Sequence, residues 1–140
     1  MPVLNDAARQ VVTGGNLAHI VTLNEDGSPN VVCIWTGMNG DDIVSAHLNG
    51  NQRKLQNVRR DPRVALSFEP KTKNAQDVDE HLVVYGTGRV EEGGGAELLQ
   101  RLAHVYFGDE RRFPDMDEPP AGFVLRVTPE RVTGWGPWKD

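Results

Sequence analysis

The sequence predicts a mainly β protein of the α+β class, with six or seven antiparallel strands forming a closed or nearly closed small barrel and short helices at its periphery. Three observations carry this. Short runs of β-branched and aromatic residues alternate with turn clusters in a chain of 140 residues that holds 15 Gly and 9 Pro. The first three such runs are joined by connections of turn length, which excludes a doubly wound parallel sheet, since parallel strands need long crossovers. Helical patterns are few: one is inserted between strands and another carries an apolar stripe for packing outside. The length fits one domain over residues 1–140.

Taken in order, Asn5 is suited to cap a helix running to Val12, with Asp6 in its first turn and Gly14 and Gly15 stopping it. Leu17 to Leu23 and Asn30 to Thr36 flank a dense turn signal, Asn24 to Pro29, and read as a hairpin. A second turn, Gly37 to Asp42, leads to Ile43–His47, so a three-stranded meander is expected. Asn51 is the expected cap of a helix that ends at Asp61-Pro62, because proline disfavours helical geometry in the residue before it. Val64 to Glu69 returns as a strand and Pro70 to Glu80 is a polar loop. Leu82 to Val90 is a long strand in which Gly86 and Gly88 mark a bulge or a close backbone approach. After Gly93–Gly95, a helix from Ala96 to Phe107 presents Leu98, Leu99, Leu102, Val105 and Tyr106 as an apolar stripe. A charged loop follows, Asp109 to Pro120, then a strand Phe123–Thr128 and, past Pro129, a short last strand Arg131–Thr133. Trp135 and Trp138 stand in a tail where a monomer would struggle to bury both, so a covering surface is expected.

Composition excludes several classes. A net charge of −5 opposes general nucleic-acid affinity, and Cys33, the only cysteine, allows no disulfide or zinc framework within the chain. The four histidines form no metal-ligand spacing with it. The start MPVLNDAARQ is unlike a signal peptide and no apolar run reaches membrane-spanning length, so a cytoplasmic protein is expected. Gly86-Thr87-Gly88 begins like a dinucleotide fingerprint, but Glu91 stands where the third glycine belongs. No nucleophile with a neighbouring base is visible, so no catalytic residue is assigned.

One stretch departs from the acidic background. Between Ser45 and Val64, Arg53, Lys54, Arg59, Arg60 and Arg63 face only Asp61, a local charge of +4 that leaves −9 for the remainder. Two cations, Arg53 and Lys54, fall in the first helical turn, where free backbone N–H groups and the helix dipole already repel positive charge. A bound phosphate reverses that penalty, because donors, dipole and ammonium then converge on one anion. The wheel puts Leu55 and Val58 on an apolar face and Arg53, Asn57 and Arg60 opposite.

The segments AHIVTLNEDGSPNVVCIW, SAHLNGNQRKLQNVRRDPRVALSF and YGTGRV together resemble the split β-barrel flavin and deazaflavin oxidoreductases, the superfamily of pyridoxamine 5′-phosphate oxidase, over nearly the whole chain. The specific part is Lys54, Asn57, Arg59, Arg60, Asp61 and Pro62. The resemblance implies an FMN-binding split barrel type of fold and a homodimer with small-molecule sites at the subunit interface, without nucleic-acid or membrane partners. It also implies that Lys54 and Arg53 hold a cofactor phosphate, with Gln52 and Asn57 in the same turn. Asn30, Val31, Val32 and Cys33 would border the tricyclic ring, and Ser45 and His47 would line the path from ring to phosphate. The apolar tail adds a separate expectation, that Trp135 closes the site of a second subunit. The form of the basic run looks closest to the branch using reduced coenzyme F420, a deazaflavin, with FMN as the alternative cofactor. The implied reaction is hydride transfer to an unsaturated small molecule; a cofactor- or pigment-binding protein without turnover is the non-enzymatic alternative.

Overall fold

The computed structural model describes residues 2–138. Seven strands form one antiparallel sheet: β1 (Ala18–Leu23), β2 (Pro29–Ile34), β3 (Gly37–Asn39), β4 (Asp42–His47), β5 (Arg63–Phe68), β6 (His81–Glu92) and β7 (Phe123–Trp135). Their order across the sheet is β2-β1-β5-β6-β7-β4-β3. Three short helices accompany it: α1 (Asp6–Thr13), α2 (Arg53–Arg60) and α3 (Gly95–Phe107).

The β1–β2 hairpin forms as the turn chemistry dictates, with Asp26 accepting from the Ser28 N–H across the turn. The meander does not extend to a third strand. Gly37–Asn39, read as part of a turn, becomes β3 and pairs only with Asp42–Val44, while β4 pairs on its other side with β7. From Ser45 to His47, β4 therefore has no strand partner on the β3 side, and β2 has none beyond β1. The sheet curls but is split between these two edges.

Alternation along the strands sends Ile20, Leu66, Phe68, Leu82, Val84, Leu125 and Val127 into one core, where α1 adds Ala8 and Val12 and α2 adds Leu55 and Val58. Asn5 caps α1 through its side chain, as expected. The cap of α2 is Gln52 rather than Asn51, and its side chain makes no capping bond. A second cluster, Val44, Leu98 and Leu102 with Trp35 and Tyr106, fastens α3 to the outside of β4.

The two glycines of β6 each answer to a close approach. A Cβ on Gly86 would strike the Thr128 carbonyl, at the register shift where Glu130 is left over opposite the Tyr85–Gly86 step. At Gly88 it would press on Val58 of α2 at 3.1 Å. The bulge also accommodates Pro129, so β7 runs unbroken to Trp135 rather than ending at Thr128. Of the two tail tryptophans, Trp138 is buried within its own chain, where its indole N–H donates to the His81 carbonyl at 3.1 Å. Only Trp135 remains exposed. Among the described residues no helix is long and apolar enough to cross a membrane.

Candidate functional site

The split in the sheet opens a cleft of about 290 Å³. One half of its lining is polar, with Ser45 and His47 from β4 and Lys54 from α2; the other is apolar, with Leu17, Ile34, Trp35, Leu99 and Phe113. Cys33 lies at its β2 wall. Unpaired strand edges bound a cavity here because the last residues of β4 are spared a neighbour.

The basic helix divides its cations between two tasks. Arg59 donates to the Gly50 carbonyl at 2.8 Å and its guanidinium lies over the Phe123 ring, fixing the loop before the helix. Arg60 donates to the Leu23 carbonyl at 2.5 Å and to Asn57 Oδ1 at 3.0 Å, and Arg63 pairs with Asp61 at 2.7 Å. Lys54 and Arg53 have no ion pair or hydrogen bond among the described residues. Burial alone pulls the Lys54 ammonium below the ordinary lysine range. The two first-turn cations diverge, however: Lys54 faces the cleft, whereas Arg53 borders a separate depression with Asn24, Asp26 and Ser28 of the hairpin.

Asn57 is not opposite the apolar face. It is buried beside Leu55 and Val58, and its amide is consumed by Thr22 Oγ1 and Asn24 Oδ1, each at 3.0 Å, so it anchors the helix to β1 and the hairpin. Helical spacing places a residue on a face; only the tertiary partner Thr22 explains why a polar one sits on the inner side. Asn30 and Val32 point into the barrel, because they pair with the inward residues Thr22 and Ile20, while Val31 and Cys33 point out. Trp135 pairs with His81 at the end of β7 remote from Phe123 and His47. It does not line the cleft.

Ser45 Oγ and His47 Nε2 are 3.0 Å apart and buried. Burial first, and the charge of Lys54 second, lower His47 to about 3, so the imidazole is neutral throughout the neutral range. It therefore hydrogen-bonds without adding a second cation. Gln52 follows on the same segment, and its buried Oε1 lies beside the His47 imidazole, which it holds back from a still lower pKa, without a well-formed hydrogen bond among the described residues.

This gives a measurable pH dependence. In the unfolded chain the imidazole protonates near 6.5, while in the folded chain it stays neutral to about 3, so stability falls as pH drops through that window. By pH 5 the loss is about 2 kcal/mol. Asp61 and Asp109, both held at about 2 by their arginine neighbours, act at lower pH. Urea unfolding of His47→Gln between pH 7 and 5 is expected to show a flatter profile than the unmodified protein, and identical slopes would remove the role given to burial.

The lining residues that the sequence did not disclose are Leu17, Ile34, Trp35, Ala46, Leu99 and Phe113. Trp35 belongs to an apolar run and Leu99 to a helix stripe, both indistinguishable from core, but Phe113 was the one large aromatic in a loop of charges and prolines.

A chain of this fold and site is a cofactor-binding split barrel. The family signature described as pyridoxamine 5′-phosphate oxidase matches residues 4–136, and the chain belongs to that family, whose members bind flavin-type cofactors and are largely oxidoreductases. An F420 reductase of known structure is similar at 21% identity, with 89% of this chain and 94% of that chain covered and a TM-score of 0.69. The conserved hypothetical protein Rv2991 from Mycobacterium tuberculosis is similar at 21% identity, covering 94% of this chain and 84% of that one with a TM-score of 0.70. A putative pyridoxamine 5′-phosphate oxidase from Listeria innocua gives 15% identity, 92% and 95% coverage and a TM-score of 0.65. At these identities the likeness is one of fold. No curated protein has a significantly similar sequence.

Proposed function

We propose that the protein binds reduced coenzyme F420 in the cleft and serves hydride transfer from it to an unsaturated small molecule. The observation that carries this reading is Lys54, a half-buried cation without a partner among the described residues, set at the polar end of an otherwise apolar cleft. An unpaired ammonium in such a place is costly, and a phosphate is the group that reverses the cost. The residues fit a phosphate-bearing flavin-type cofactor: Lys54 would bind the phosphate, the buried Gln52 oxygen beside His47 has capacity left to accept from a side-chain hydroxyl, and Leu17, Ile34 and Trp35 would exclude water from the ring. When bound, the deazaflavin supplies the hydride. Ser45 and neutral His47 orient by hydrogen bonding and add no charge. The name of one structural neighbour, F420 reductase, favours F420 over FMN as the cofactor.

The second subunit of a homodimer belongs to the same reading. Across the outer face of the sheet, Val31, Val21, Ala65 and Tyr85 stand in register, and Arg131 lies over the Tyr85 ring at 4.1 Å. The neighbouring row begins at Cys33, which also lines the cleft, so a second copy seated on this face would wall the site. Equilibrium titration with F420 and FMN side by side tests the cofactor, with F420 expected to bind at least tenfold tighter. Binding of FMN alone would install the FMN reading, and stoichiometric F420 binding without oxidation across a panel of enones would make the protein a carrier.

A further inference from the structure

We propose that Gln100 is the positioning residue for Phe113, and that Phe113 sets the ligand class of the cleft's apolar half: flat, conjugated rings without positive charge. This rests on the cleft being the ligand site. Phe113 is the one lining residue supplied by loop 109–120. Other walls are held by the fold: Trp35 stacks on Tyr106 at 4.9 Å, and Tyr106 is pinned by its hydroxyl, which donates to the Asn16 carbonyl at 2.7 Å and accepts from the Thr36 N–H at 2.9 Å.

The loop has no strand or helix of its own to fix Phe113, and Gln100 of α3 does so with one amide. Its Oε1 accepts from the Phe113 N–H at 2.6 Å and its Nε2 donates to the Arg111 carbonyl at 2.9 Å, gripping the loop on both sides of Arg112. Arg111 adds a second fastening, with its guanidinium 4.1 Å from the Phe107 ring centroid and paired with Asp109 at 2.7 Å. The Phe113 ring then rests 5.6 Å from Trp35 and 5.4 Å from Phe107, within the range of aromatic packing. An aromatic corner of fixed geometry favours a flat partner over a puckered one of equal area, since only the flat ring meets its faces without loss of contact. Among the described residues Lys54 is the only charged one lining the cleft and no carboxylate lines it, which disfavours cationic rings.

The test uses the full chain without cofactor and two anionic probes of matched size, naphthalene sulfonate and its saturated counterpart decalin sulfonate, titrated by calorimetry. The unmodified protein is expected to prefer the flat probe at least tenfold. Phe113→Leu, which keeps an apolar side chain, should bring that preference below threefold. Gln100→Met, which keeps length and loses the amide, should lower it in the same direction, whereas Gln100→Glu, which retains the acceptor for the Phe113 N–H, should keep more of it. An unchanged preference in Phe113→Leu overturns the inference. If Lys54→Glu weakens both probes while Phe113→Leu leaves the preference unchanged, the site reading stands and only this inference fails; if neither variant alters either probe, the cleft is not the site and both fail.

Discussion

Lys54→Glu is expected to weaken binding of the cofactor by roughly thirty- to a thousandfold, on the order of 2–4 kcal/mol, with little change in the stability of the ligand-free chain. The asymmetry follows from the position. Lys54 lies in the first turn of α2, where a carboxylate complements the helix dipole by about 0.3–1 kcal/mol and offsets its own partial burial. The ligand loses a charge-assisted contact and meets a like charge instead. Thermal stabilisation by ligand should shrink in proportion, because it follows the ratio of ligand concentration to Kd. Binding to the unmodified protein should also weaken on the alkaline side as Lys54 gives up its proton, earlier than for an exposed lysine, since burial lowers its pKa. Arg60→Glu is the contrasting variant. It removes the bonds to the Leu23 carbonyl and Asn57 Oδ1 and sets a carboxylate against two acceptors, so apo stability should fall by about 1–3 kcal/mol with a smaller effect on affinity. Unchanged affinity of Lys54→Glu for both F420 and FMN would return the basic stretch to a solvated helix.

That contrast also marks what the chain discloses before folding. The concentration of Arg53, Lys54, Arg59, Arg60 and Arg63 is visible in sequence, because charge against an opposite background is a one-dimensional signal. Which of them are spent on backbone carbonyls is not, because Leu23 arrives from the β1–β2 hairpin and the reach to Gly50 depends on how the loop before the helix folds back. Strands and turns were legible from β-branched runs and Gly/Asn punctuation, and Gly86 rightly announced a bulge. The split was legible only through the family resemblance, not through local pattern. Whether β2 meets β4 depends on β4 being captured by β7, a partner some eighty residues away, and local pattern carries no information on that choice. The site therefore was found only in part: Lys54 by its charge, Ser45, His47 and Cys33 by the resemblance, and none of Leu17, Ile34, Trp35, Ala46, Leu99 or Phe113, whose apolar character reads as core until the gap is seen.

The two tail tryptophans should separate by experiment as they do in the fold. Trp138→Ala is expected to destabilise the chain by about 3–5 kcal/mol, lowering Tm on the order of 10–20 °C. Its indole is 5% exposed, joins the main core, and packs so close to Gly136 that a Cβ there would collide with the ring. Truncation therefore opens a cavity against Leu82 and its neighbours and leaves the His81 carbonyl without its donor. Trp135→Ala should behave otherwise. At 56% exposure the side chain contributes little to its own chain, so Tm measured at low protein concentration should move by no more than about 0.5 kcal/mol equivalent. It shares the outer face with Tyr85 and Val83, the surface assigned to the second subunit, so its loss should weaken dimerisation by roughly thirtyfold or more. Mass measurements by sedimentation across a micromolar dilution series read this directly. A monomer in the unmodified protein would remove the dimer and Trp135's role together, whereas a dimer of unchanged strength in Trp135→Ala would leave the outer strand face as the interface and take the tryptophan out of it.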